Sequence, residues 1–143
     1  MFIETILRQK GSSVITVSAE AALSVAASLM DTNRIGAVVV IDEQDAIVGV
    51  LSERDLVRHM ARSGAAAPDL KVSYAMTRSI ITASGQDDID ACLAQMTDRR
   101  IRHLPIVDDG RLVGIISIGD LVKWKIDSVT AEAEAMTAYI KGG

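Results

Sequence analysis

Cysteine and long apolar runs are both scarce in this chain of 143 residues. No uncharged apolar run approaches the ~18 residues that cross a membrane. The most apolar stretches, Ala37–Ile41 and Leu112–Ile116, have the length of strands. The single cysteine cannot form an internal disulfide, which fits a reducing cytoplasm. Met1–Lys10 carries Glu4 within a short apolar segment and has no small-residue cleavage site, so we expect no signal peptide. These absences disfavour transmembrane and secreted disulfide-rich proteins.

An excess of positive charge is also lacking. The net charge is −4 and the isoelectric point is about 5.1, which disfavours a protein that binds a phosphate backbone. Apolar residues make up 49% and charged residues 24%, ordinary values for a globular chain. The length suits one domain, or two small ones that share a core.

The two halves of the chain repeat one pattern. Ile35–Arg58 aligns with Ile101–Lys123 at an offset of 66 residues, which falls to 65 after a one-residue deletion in a turn. Eight aligned positions are identical, and their second-copy members are Ile101, Asp108, Val113, Gly114, Ser117, Asp120, Leu121 and Val122. Matches this widely spread indicate a true internal repeat.

Each copy is expected to fold as strand, helix, strand, turn, strand, helix. In the first copy these elements are a strand at Val14–Val17, a helix carrying Leu23, Ala26, Ala27 and Met30, strands at Ala37–Ile41 and Val48–Leu51 around a turn at Asp42–Ala46, and a helix from Ser52 to about Ser63. Ser18 can cap the first helix, and Gly64 is the expected C-cap of the second. Ala65–Lys71, which contains Pro68, is expected to be a linker.

The second copy repeats this order with one difference at its end. Its helical stripe is Ile89, Cys92, Leu93 and Met96, and its turn is Asp108–Gly110. The helix that opens at Ser117 contains no Gly or Pro between Gly119 and Gly142, so we expect it to continue to about Ile140.

The expected fold is α/β (α+β): two β-α-β-β-α repeats packed with pseudo-two-fold symmetry, plus a long C-terminal helix. About 60 residues bury little core alone, which favours a shared interior. We expect the first repeat with its N-terminal segment at 1–66, the second repeat at 67–127 and a helical extension at 128–143.

Both copies place a short apolar strand directly before the pattern G-h-h-S-x-x-D, where h is apolar. The pattern covers Gly49–Asp55 and Gly114–Asp120. Serine at an N-cap with a carboxylate three residues later is typical of a capping box, in which the serine stabilises by about 1 kcal/mol. Spacing alone favours this structural role.

The same geometry suits a ligand. A helix N-terminus offers free amides and partial positive charge to a phosphate, and the serine hydroxyl can add a hydrogen bond. The aspartate can accept hydrogen bonds from vicinal hydroxyls such as a ribose diol. Two such motifs related by a pseudo-dyad predict two pockets in a cleft between the copies. Capping and binding are compatible, so both roles stay open.

The tandem arrangement, the two h-G-h-h-S-x-x-D-L segments and Ala75–Thr77 (AMT), which opens the second copy, resemble a cystathionine-β-synthase (CBS) domain pair, or Bateman module. The resemblance runs from about Ser13 to Lys125. It implies ligand clefts that hold adenosine compounds such as AMP, ATP, NAD(H) or S-adenosylmethionine.

The resemblance also implies roles for individual residues. Asp55 and Asp120 would take the ribose hydroxyls, and Ser52 and Ser117 would take a phosphate. The residues that would hold the base follow from position rather than from a strict motif, and they are Thr16, Val17, Gly36 and Ala37 in the first site and Thr82, Ala83, Arg102 and His103 in the second.

The two expected sites differ in charge and bulk. Arg54 and Arg102 can each pair with phosphate oxygens. Gly119, which stands where the first copy has Arg54, lets a ligand approach the helix start closely. This asymmetry indicates either unequal ligands or one filled site, and it does not identify the nucleotide.

The remaining polar residues point to no chemistry. Asp98–His103 (DRRIRH) is typical of solvated charges, although Arg102 and His103 also enter a strand beside the expected cleft. Cys92 is expected in the core, since it aligns with Ala26. His59 has no partner at metal-ligand spacing, and no nucleophile–histidine pair is evident. We therefore expect no metal, no catalytic cofactor and no enzyme.

The C-terminal helix has an apolar seam, here the residues Ile126, Val129, Ala133, Met136 and Ile140, at spacings of 3 and 4. This pattern fits either a helix lying on its own module or a coiled-coil contact with a second subunit. Ile3, Ile6 and Leu7 are expected to pack beside it.

The first functional hypothesis is a cytoplasmic regulatory module, expected to be a homodimer, that binds adenine nucleotides and signals by conformational change. No effector domain fits in 143 residues, so its output is expected to pass to a separate protein. The alternative is a ligand-independent dimerisation scaffold in which both S-x-x-D motifs only cap helices. Neither hypothesis involves nucleic acid or a membrane.

Overall fold

A computed structural model describes residues 1–11 and 13–142. In chain order its elements are α1 (Ile3–Lys10), β1 (Thr16–Ser18), α2 (Leu23–Asn33), β2 (Ala37–Ile41), β3 (Ile47–Ser52), α3 (Glu53–Ser63), a 3-10 helix (Gly64–Asp69), α4 (Val72–Ala75), α5 (Ile89–Arg99), β4 (His103–Asp108), β5 (Arg111–Ser117) and α6 (Ile118–Gly142). They form two compact units: residues 13–81, and residues 1–11 together with residues 82–142. The mixed helix and strand content confirms the expected fold class.

The first unit contains a sheet of order β1-β2-β3, in which β1 is parallel and β3 antiparallel to β2. Ala37–Val40 are all buried, as predicted from the uninterrupted apolar run. The core of this unit is made of apolar residues from strands and helices, namely Val17, Leu23, Ala26, Met30, Val38, Val40, Leu51, Val72, Ala75 and Met76.

Ser18 does not cap a helix, contrary to the sequence prediction. Its Oγ accepts the backbone N–H of Glu20 at 3.2 Å, within a turn. Helix α2 begins later, after Ala22, and has no side-chain cap. The serine therefore stabilises the chain reversal between β1 and α2.

The expected linker is mostly ordered structure. Gly64 ends α3 with a positive φ of 55°, as predicted, but the chain continues directly into the 3-10 helix and then into α4. Ala67, Val72 and Ala75 are buried. Pro68 and the three alanines before it concealed this packing in the sequence, since the run shows no apolar periodicity.

The second unit reproduces the pattern with a weaker sheet. β4 and β5 pair in antiparallel orientation, but the expected opening strand contributes only a bridge between Ala83 and Ile106. The Asp108 carboxylate explains the shortening: it accepts Ser84 Oγ at 2.6 Å and the Gly85 amide at 3.2 Å. These side-chain contacts replace the next ladder bond, so the chain leaves the sheet.

Helix α1 in the second unit is the equivalent of α4 in the first. The Val72 and Ser73 amides donate to the carbonyls of residues 21 and 19, and the Ile3 and Glu4 amides donate to those of residues 87 and 85, which lie 66 positions later. Each unit is thus closed by a segment that precedes the other repeat in the chain.

The glycine of each G-h-h-S-x-x-D pattern allows this closing helix to approach. A Cβ on Gly49 would lie 2.6 Å from the Met76 Sδ and 2.9 Å from the Thr77 carbonyl oxygen. On Gly114 it would overlap the side chain of Leu7. These glycines therefore serve packing rather than a ligand.

The last two-thirds of α6 stand clear of the second unit. The seam residues Ile126, Val129, Met136 and Ile140 are 51–71% exposed, so the seam does not lie on its own module. Ile3, Ile6 and Leu7 are buried elsewhere, with Leu7 against Gly114 of β5, and the prediction that they pack beside the seam is wrong. Within residues 1–11 and 13–142 no helix has the length and apolarity to cross a bilayer.

Candidate functional site

A complete capping box forms where β3 meets α3. The Asp55 amide donates to Ser52 Oγ at 3.4 Å, and the Ser52 amide donates to Asp55 Oδ2 at 2.9 Å. The Ser52 hydroxyl lies 3.2 Å from the same oxygen. The structural role predicted from spacing is therefore confirmed.

Asp55 is the only buried charged residue in the described part of the chain, with 3% of its surface exposed. Its Oδ1 accepts Arg58 Nη1 at 3.3 Å from one turn further along α3. A buried carboxylate needs such partners, because an uncompensated charge is costly away from water. The first box thus holds an acceptor that its hydrogen bonds fix within the first turn of a helix.

The second box has the same reciprocal bonds, and its cation comes from another helix. The Ser117 amide donates to Asp120 Oδ2 at 2.9 Å, and the Asp120 amide donates to Ser117 Oγ at 3.1 Å. The Lys10 ammonium, at the end of α1, donates to the same Oδ2 at 2.7 Å and to the Ile115 carbonyl at 2.9 Å. Asp120 is half-buried, so it is reachable from solvent.

The charge of Asp120 is held in place by its donors. Partial burial acts to raise the pKa of Asp120, but the hydrogen bond from Lys10 and the amide of Ser117 outweigh it, and the pKa lies below its ordinary value. The carboxylate is therefore ionised at neutral pH. It remains an acceptor rather than a donor toward any ligand.

Strand β2 in the first unit and strand β4 in the second run alongside the box. Ala37 pairs with Ser52, and His103 pairs with Ser117. The first amide of each helix donates to the residue before that strand: Glu53 N to Gly36 O at 3.0 Å, and Ile118 N to Arg102 O at 2.8 Å. Each unit therefore brings four predicted site residues to one end of its sheet, and they are Gly36, Ala37, Ser52 and Asp55 in the first and Arg102, His103, Ser117 and Asp120 in the second.

The other predicted base-binding residues lie further along. Thr16 pairs with Val39, two residues beyond Ala37, which corresponds to about 7 Å along the strand. Ala83 pairs with Ile106, and Thr82 before it is exposed. The Val17 side chain belongs to the core, so this residue can offer a ligand its main chain only.

The residues that distinguish the two helix starts are both exposed. Arg54 lies in the first turn of α3 and Gly119 in the first turn of α6. A Cβ on Gly119 would meet only Ser117 Oγ, at an ordinary 3.6 Å. Packing within this unit therefore does not require glycine there.

Sequence reasoning missed two site residues, Lys10 and Arg58. Lys10 is 110 positions from Asp120 in the sequence. The only sequence signal for this contact is indirect: α1 and α4 share an apolar spacing, given by Ile3, Ile6 and Leu7 in α1 and by Val72, Ala75 and Met76 at α4.

The DRRIRH segment and Cys92 lie on helix α5 and at its end. The DRRIRH segment spans the end of α5, where Arg100 is a left-handed C-cap with φ 55°. Cys92 is buried, as expected, and burial raises the pKa of its thiol. No group of His, Cys, Asp and Glu side chains suited to a metal occurs within the described residues.

Comparison with known proteins finds one family that matches both copies of the repeat. A family model for the CBS domain matches residues 10–62 and again residues 70–127. The chain belongs to the CBS-domain family. It is 35% identical over 118 residues to a mitochondrial CBS-domain protein, CBSX3, of Arabidopsis thaliana, covering 80% of this chain and 57% of that one. The chain thus spans little more than half the length of this relative.

Solved CBS structures superpose closely on this fold. A CBS-domain protein from Agrobacterium tumefaciens is 41% identical, with a TM-score of 0.82 over 85% of this chain and 91% of the other. The CBS domain pair of protein MJ0100 is 25% identical, with a TM-score of 0.77 over 87% and 98% of the two chains, and was solved in complex with 5′-methylthioadenosine and S-adenosyl-L-methionine.

Proposed function

We propose that this CBS pair is a regulatory module that binds an adenosine-containing ligand, such as AMP, ATP or NAD(H), and signals by changing shape. Asp55 and Asp120 accept the ribose hydroxyls, and Ser52 and Ser117 with their helix amides hold a phosphate. The module acts in the cytoplasm as a homodimer on a separate effector protein, without turnover and without a catalytic cofactor.

The observation that carries the proposal is the carboxylate that reciprocal hydrogen bonds with a serine fix in the first turn of both α3 and α6. A charged acceptor at the positive N-terminal end of a helix can hold a diol and an anion together, since the two groups need opposite partners. The adenosine ligands of the MJ0100 pair support the same ligand class.

Titration calorimetry with AMP, ATP, NADH and 5′-methylthioadenosine tests the proposal. Asp120→Ala and Asp55→Ala should each weaken binding at their own site about tenfold or more, since charged hydrogen bonds contribute about 1.5–3 kcal/mol. Asp127→Ala removes an exposed carboxylate from α6 outside the box and should leave affinity unchanged. Asp→Asn variants, which keep a capping oxygen, separate lost charge from lost capping.

A ligand-independent scaffold is the second candidate, and the complete capping boxes favour it. In that case none of the four ligands binds, and the Asp variants change only the melting temperature. If both Ala variants keep the affinity of the wild type, the two carboxylates are not part of the ligand site.

A further inference from the structure

Lys10 contacts the carboxylate that would hold the ligand in the second repeat. Its ammonium lies 2.7 Å from Asp120 Oδ2 and 2.9 Å from the Ile115 carbonyl oxygen. The two side chains are 37% and 27% exposed, so solvent reaches both partners. Lys10 is the last residue of α1, and the contact therefore joins the end of α1 to the first turn of α6.

This contact uses the acceptor that a ribose diol needs. Asp120 Oδ2 already accepts the Ser117 amide at 2.9 Å, and Lys10 is its second donor. A carboxylate oxygen has about two lone-pair positions, so Oδ2 has no further capacity. Lys10 also neutralises the charge that makes the carboxylate a strong acceptor. A diol that takes both oxygens must displace the ammonium.

Within residues 13–81, no closing segment brings such a cation to Asp55. Leu7 and Met76 occupy equivalent places, and the same offset of 69 residues puts Ser79 where the second unit has Lys10. Asp55 is paired instead with Arg58 of its own helix, at 3.3 Å. The asymmetry between the two sites is thus wider than the sequence motifs indicate.

We propose that Lys10 is a competitive lock on the second site: a diol-bearing ligand at Asp120 displaces the ammonium and frees the last turn of α1. This inference rests on the proposed adenosine-binding function. The body of α1 stays in place, because Ile3, Ile6 and Leu7 are buried. Only the turn that leads towards residue 13, the start of the other unit, is released.

Calorimetry with AMP as the probe tests the lock in the wild type, Lys10→Met and Arg8→Met. An exposed ion pair contributes up to about 1 kcal/mol, so Lys10→Met should bind AMP at the second site about two- to fivefold more tightly. Arg8→Met is the matched control: it removes the same charge from the same helix, but its guanidinium faces Glu4 at 3.7 Å. The 2′,3′-dideoxy analogue of AMP, which lacks the diol, should bind all three proteins equally.

Hydrogen exchange with AMP gives the second measurement. The Gly11 amide donates to the Leu7 carbonyl at 2.8 Å, and its exchange should accelerate in the wild type when AMP protects the segment around Ser117. The lock is overturned if AMP protects the segment around Ser117 but the Gly11 amide does not exchange faster, or if Lys10→Met does not bind AMP more tightly. Either result leaves the proposed function intact. Weaker AMP binding in Lys10→Met makes Lys10 a ligand contact and also overturns it. If none of AMP, ATP, NADH and 5′-methylthioadenosine binds the wild type or any variant, the proposed function fails, and the lock fails with it.

Discussion

At the scale of single residues, the two helix starts have the same hydrogen bonds and different surroundings. Asp55 is enclosed and paired with an arginine of its own helix, whereas Asp120 is half-buried and paired with Lys10. The sequence motif predicts both boxes because capping is local and depends on a spacing of three residues. It could not predict Lys10, since that contact depends on how a distant helix docks.

A substitution at Gly119 should affect protein stability and ligand affinity in different ways. Gly119→Ala should leave the free energy of unfolding unchanged or raise it by up to about 1 kcal/mol, because alanine is the better helix former and its Cβ has room. AMP binding at the second site should weaken, since the added methyl group lies beside the helix amides. Chemical denaturation and calorimetry on one preparation measure both effects. Gly142→Ala, in open space at the far end of α6, is the control, and equal AMP affinity in both variants would contradict a close approach at Gly119.

At the scale of elements, sequence periodicity predicted the long helices and the buried strands, and it failed for the short closing segments. α4 has only four residues, too few for a helical pattern. The sequence of α1 taken alone resembles that of a mobile chain end, because it does not reveal the packing against β5. The opening strand of the second repeat was predicted from its match to the first. There the Asp108 carboxylate takes the place of the next main-chain bond of the strand ladder. A match between sequence patterns cannot reveal that a side chain competes with the main chain in this way.

The closing helices predict unequal effects of one substitution at equivalent positions. Gly49→Ala should lower the free energy of unfolding by about 1–3 kcal/mol, because the new Cβ meets a main-chain carbonyl that cannot move aside. Gly114→Ala should cost less, because its obstacle is the flexible end of the Leu7 side chain. Urea denaturation of both variants, with Gly119→Ala as reference, tests this order. An equal or larger loss in Gly114→Ala would contradict the role given to Thr77.

At the scale of the whole molecule, the exposed seam on α6 favours association. The residues Ile126, Val129, Ala133, Met136 and Ile140 keep a coiled-coil spacing along one face of the helix, and most of their surface meets solvent. A second copy of this chain offers a matching face, since the seam is apolar and can pair with itself. We therefore expect a homodimer held in part by α6.

Analytical ultracentrifugation tests this expectation. The double variant Val129→Glu, Met136→Glu should shift the protein towards monomer, because like charges would meet across the seam. Ala131→Glu adds an acid to the opposite face of the same helix and should leave the dimer intact. A wild-type monomer, or a dimer that survives the double variant, would show that the seam is not the contact.

The docking of α1 also affects the order in which the chain can mature during synthesis. Residues 13–81 contain every element of their own unit, including α4, so this part can close while later codons are still being read. Helix α1 is translated before the first unit, yet its contacts with Gly85, Asp87 and Gly114 do not exist until the second repeat has been translated. Helix α1 is therefore synthesised before the first unit but finds its partners after that unit can close.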